Sequence, residues 1–183
     1  MTGRVEHPIL YRFFQHCLGQ TFSDLNLVDE PVKNYLVALL VRFIRTERLY
    51  RIRQLPLFEL ESVMESVLEF ENSMTENENF SRKDELIIRQ HIADFTLFMT
   101  GIFREFVQSR GFLKYYYLEG GRSYLRIYNY VYAEMGTDAA VFENLGRKFE
   151  VYSGSLDYLK KVYFYYPEID DQIRSVLSRL LNW

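Results

Sequence analysis

His91 and Asp94 stand three residues apart in a stretch whose apolar residues recur with helical spacing. On a helix such a pair meets on one face, so the carboxylate can orient the imidazole and raise its pKa. That arrangement serves a general base or a metal-bound histidine. It also describes a core histidine satisfied by its neighbour, the plainer account, since buried polar groups are usually paired for structural reasons. With Ile88 as the zero of a helical wheel turning about 100° per residue, Ile92, Phe95, Phe98, Met99, Ile102, Phe103 and Phe106 fall in one arc. His91 lies inside that arc and Asp94 at its edge, so the imidazole is expected to turn inward among rings. Tyr124, Tyr128 and Tyr132 repeat every fourth residue further on. If Tyr124 or Tyr128 faced His91 and Asp94, the four side chains would form an internal polar network. A void beside it would take a planar or apolar small molecule, whereas close aromatic packing would leave none.

A second constellation is cationic. Arg42, Arg45, Arg48, Arg51 and Arg53 lie within twelve residues, opposed only by Glu47. The following stretch carries Glu59, Glu61, Glu65, Glu69, Glu71, Glu76 and Glu78, with no Lys or Arg from Gln54 to Ser81. Two antiparallel helices joined at Pro56 would set these charges side by side, each exposed pair contributing little. The competing reading is an arginine stripe facing phosphates or an acidic partner. No helix-turn-helix, RNA-recognition or zinc-finger signature supports it, the arginines spread over half a helix circumference, and a net charge of -3 argues against general nucleic-acid binding.

Other chemistry is thin. Three histidines occur with no Glu-x-x-His or His-x-x-x-His spacing, so a metal site is not expected, and a haem on His16 or His91 has no attachment motif behind it. No cofactor is assigned. Gly120-Gly121-Arg122-Ser123, read as opening a helix, is a weak phosphate cradle. Cys17, the single cysteine, excludes an internal disulfide and reads as a small buried residue.

The elements that must position these groups read as helices. Of 183 residues 48% are hydrophobic and 17% aromatic, with only nine Gly and four Pro. Helices are expected over Pro8–Gly19, from an Asp29 N-cap with Pro31 inside the first turn to about Ile52, and over Phe58–Met74. A long central aromatic helix should run from a capping box at Ser81–Asp84 to Arg110, stopped by Gly111. Further helices should cover Gly120–Met135, Thr137 or Asp138 through Gly146 and Gly154 to Tyr166, and a last amphipathic stretch after Pro167. Tyr115-Tyr116-Tyr117-Leu118 favours a strand by propensity, but nothing offers to pair with it. The expectation is an all-α, single-domain bundle of six or seven helices. The longest apolar run, Tyr35–Val41, is too short to span a membrane, and the opening residues lack a run that a signal peptidase could use. A cytoplasmic protein acting through a protein partner or self-association, as a homodimer or a subunit, is the leading expectation. A ligand-binding or enzymatic bundle around His91, Asp94, Tyr124 and Tyr128 is the alternative, and the arginine stripe the third reading.

Overall fold

The computed structural model describes residues 7–45, 82–135, 139–166 and 168–181, and every regular element among them is helical. Eight helices follow in order: α1 His7–Asp24, α2 Glu30–Arg45, α3 Arg82–Ile102, α4 Arg104–Ser109, α5 Leu113–Met135, α6 Ala140–Arg147, α7 Phe149–Tyr163 and α8 Asp171–Leu181. The expected helix at Phe58–Met74, the Ser81–Asp84 cap and the Glu59–Glu78 row lie outside the described residues, as do the side chains of Arg45, Arg48, Arg51 and Arg53.

α3 is the centre. It packs against α2, α5 and α7, and from Ile92 to Phe103 every residue is buried, as the aromatic stripe of the sequence implied. Phe98 stacks on Phe43 of α2 at 4.6 Å, which joins the N-terminal pair of helices to the centre. α1 and α2 form an antiparallel hairpin whose turn carries Asn26 at φ 53°. Asp29 caps α2, its Oδ1 accepting from the Val32 amide at 3.1 Å, with Pro31 inside the first turn where its missing N–H costs nothing.

Three expectations about the helices are corrected. The central helix does not run unbroken to Arg110: it bends at Phe103 (φ -112°, ψ 35°) and resumes as α4. The sixth bends likewise at Lys148 (φ -116°, ψ 31°), between α6 and α7. At each bend some backbone bonds persist, with Val107 donating to Phe103 and Tyr152 to Lys148, and a glycine stands two residues before it, Gly101 before Phe103 and Gly146 before Lys148. The fifth helix begins at Leu113, seven residues before the glycines, and takes in Tyr115–Leu118. Gly120 and Gly121 are therefore in a helix interior, where their amides serve the helix ladder, and the phosphate cradle is lost.

Those glycines are contact points. A Cβ on Gly120 would lie 2.4 Å from the Phe149 ring and from Thr96 Oγ1, and one on Gly146 would lie 2.6 Å from Leu125. Gly101 likewise accommodates Leu156. Gly120 and Gly146 let α5 close on α3 and on the α6–α7 bend, and Gly101 lets α7 close on α3, at distances a side chain would forbid. Gly111 does what the sequence suggested, ending α4 at φ 80°.

Candidate functional site

The buried polar centre forms where three helices converge on Asp94. α2 supplies Tyr35 and Arg42, two turns apart on one face; α3 supplies Gln90 and Asp94, one turn apart; α5 supplies Tyr124. Asp94 Oδ1 accepts hydrogen bonds from the Tyr35 hydroxyl at 2.7 Å and the Tyr124 hydroxyl at 2.8 Å. Its Oδ2 accepts from the Arg42 guanidinium at 2.7 Å. Gln90 Nε2 donates to the Tyr35 oxygen at 3.3 Å. Asp94 and Tyr124 are buried, while the Arg42 side chain is 42% exposed, so the cluster reaches water along the guanidinium. Tyr124 is also held by rings, edge-on to Tyr35 at 6.1 Å and stacked with Phe142 at 6.4 Å.

Burial pushes the Asp94 carboxyl pKa up, while the Arg42 charge and the two phenols pull it back without cancelling that rise. Burial, then the charge and hydrogen bond of Asp94, raise Tyr35, and burial followed by the charge of Asp94 raises Tyr124. A carboxylate whose two oxygens already take three donors is a tether between helices. A general base needs a lone pair within reach of a substrate proton, and this one is enclosed.

The sequence-chosen residues separate. Asp94 and Tyr124 meet as expected, but His91 is exposed rather than turned inward, with the ring of Phe95 6.4 Å away. The wheel placed it wrongly because apolar residue types alone defined the arc. In the first turns of α3 the core-facing side carries Glu85 and Arg89, both buried and 3.6 Å apart, with the Tyr130 hydroxyl donating to Glu85 at 2.6 Å. His91 therefore shares the outer side with Lys83 and Ile87. Tyr128 does not reach Asp94; burial and the nearby charge of Glu143 raise its pKa, and its ring lies against Tyr132 at 5.5 Å. Arg42, read as pairing with the glutamate row or else facing phosphates or an acidic partner, turns its guanidinium to Asp94. Tyr35 and Gln90 escaped notice, although Tyr35 and Arg42 share the helical spacing that would have paired them.

The same chemistry recurs. Asp29 Oδ2 accepts from Asn144 at 2.8 Å and from the Tyr152 hydroxyl at 3.0 Å, tying the α1–α2 turn to α6 and α7. Asp24 accepts from Tyr158 at 3.2 Å and Tyr163 at 2.5 Å, fixing the end of α1 to α7. Tyrosines on one helix thus bond carboxylates on another. No group of three His, Cys, Asp or Glu able to hold a metal ion occurs among the described residues. His16 is exposed, and Cys17 is buried with its thiol pushed up to about 11 by burial, which leaves it unreactive. No described helix is long and apolar enough to cross a membrane.

No protein-family model matches the chain, and no curated protein sequence or solved structure matches it.

Proposed function

We propose that this chain is a single-domain, cytoplasmic helical bundle that works through protein–protein contacts, with the outward side of α7 as its docking surface. One observation carries the reading. Val151, Tyr158 and Val162 fall within about 40° of one another on α7, the two valines exposed and Tyr158 half-buried beside Asp24. Val151 is 47% and Val162 37% exposed, and Tyr165 in the turn that follows is 68% exposed. Asp24 and Asp29 hold the α1–α2 turn against α7, and that turn adds Leu25 and Val28, the latter 98% exposed. Isolated surface apolar residues mean little, but a helical row with an aliphatic turn beside it is the pattern of an interface. The Asp94 cluster supports the same reading from the other side, because its donors and acceptors are consumed in joining helices.

Site-specific crosslinking tests it. A photoreactive side chain at Val151 should give a discrete adduct in the native cell extract, whereas the same group at exposed Ser175 on α8 should give none. Equal labelling from both positions, or no adduct from Val151, overturns the reading.

A further inference from the structure

Gly154 is the one glycine of α7, and its surroundings differ from those of Gly101, Gly120 and Gly146. A Cβ there would meet nothing within 4 Å, so no internal packing asks for glycine. In a helix interior glycine costs about 1 kcal/mol relative to Ala. Close packing against a neighbouring element does not offset that cost here. The notch sits between Val151 and Tyr158, on the edge of the apolar row described above.

We infer that the partner is a second copy of this chain, docked antiparallel through α7 about a two-fold axis level with residue 156, with the Tyr158 ring of each copy laid over the Gly154 notch of the other. The inference rests on the docking reading and names its occupant. Three independent features share that axis to within one residue. Gly154 and Tyr158 are centred on it, Val151 and Val162 come opposite each other, and Glu150 comes opposite Lys161. An isologous interface requires such self-complementarity. The charges match as well: Glu150 is exposed with no ion-pair partner among the described residues, and Lys161, 54% exposed, keeps an N–H beyond those it gives Asp157 and Glu105. Tyr158 is already oriented by Asp24, so little side-chain freedom is lost on docking.

Sedimentation equilibrium of the full chain over roughly 1 to 100 µM should show a monomer–dimer equilibrium. Gly154→Ala separates an interface role from a structural one. The added methyl has room within the chain and favours helix, so thermal unfolding at low concentration should shift upward, while the dimer weakens about tenfold or more. Glu150→Lys and Lys161→Glu should each weaken the dimer, and the double variant, which restores opposite charges across the axis, should recover most of the loss. A wild type that stays monomeric throughout overturns the second copy as partner; an adduct from Val151 to a different protein would then leave the docking surface standing. A Gly154→Ala dimer as tight as wild type, or a double variant weaker than both singles, overturns this face and register.

Discussion

Asp94 shows what one buried carboxylate can do when its neighbours are phenols. Arg42 neutralises it, Tyr35 and Tyr124 saturate it, and each donor comes from a different helix than the acceptor. Asp94→Ala leaves the buried Tyr124 hydroxyl, the half-buried Tyr35 hydroxyl and a guanidinium without this acceptor, and should cost about 3 kcal/mol. Tyr124→Phe, which removes one donor, should cost about 1 kcal/mol. Both are read from urea unfolding. Asp94→Asn adds a pH test. Burial raises the Asp94 pKa above its ordinary 3.8, so the folded chain holds that proton more tightly than the unfolded one. Its contribution to stability is therefore full below the ordinary value and declines as pH rises through the folded one. The advantage of wild type over the non-titrating Asp94→Asn should shrink over that interval, and a gap that widens with rising pH would contradict the assignment. Half of this site was legible: Asp94 and Tyr124 were chosen from spacing. His91, picked out by the same spacing, is instead exposed, because in the first turns of α3 the buried side is the one carrying Glu85 and Arg89, which apolar periodicity does not assign to the core.

Among the elements, the glycines divide by what stands opposite them. Gly120→Ala drives a methyl into Phe149 and Thr96 and should cost about 1 to 3 kcal/mol. Gly19→Ala, within α1 and facing open space, should instead add up to about 1 kcal/mol. Thermal unfolding of the two variants, shifted in opposite directions, checks the packing of α5 on the α6–α7 bend. Helix identity was readable from periodicity, and the Asp29 cap and the Gly111 stop from their residue types. The bends at Phe103 and Lys148 were not, because the apolar period runs through both and the glycines two residues before them, Gly101 and Gly146, do not interrupt it. The start of α5 was misread because glycine usually marks an end. Here it marks the place where another helix comes close, which depends on residues far away in the chain.

For the whole molecule, tyrosine is the material of assembly. Tyr35, Tyr116, Tyr124 and Tyr152 all have pKa values raised above 10, by burial first and then, for Tyr35, Tyr124 and Tyr152, by the carboxylates that accept their protons and, for Tyr116, by the neighbouring Tyr115. Each raised phenol supports the folded state fully below pH 10 and loses that support as unfolded tyrosines begin to ionise above it. Alkaline titration followed by phenolate absorbance should therefore show a late step that coincides with the loss of helical circular dichroism. A smooth titration completed while the helices persist would refute the buried tyrosine–carboxylate scheme. The all-α class was plain from composition and period. Which helices exchange hydroxyls and carboxylates was not, since these partners lie from 30 to 139 residues apart.

That separation has an effect on how the chain is made. The cap of α2 is also the acceptor for Asn144 and Tyr152, more than a hundred residues downstream. During synthesis the amino-terminal hairpin emerges long before those donors exist, so one Asp29 oxygen must stay hydrated until the last third of the polypeptide arrives. Its final docking is thus a late event, and a chain truncated before residue 144 would keep the bonds of α2 to Asp94 but carry the turn before α2 without its ties to Asn144 and Tyr152.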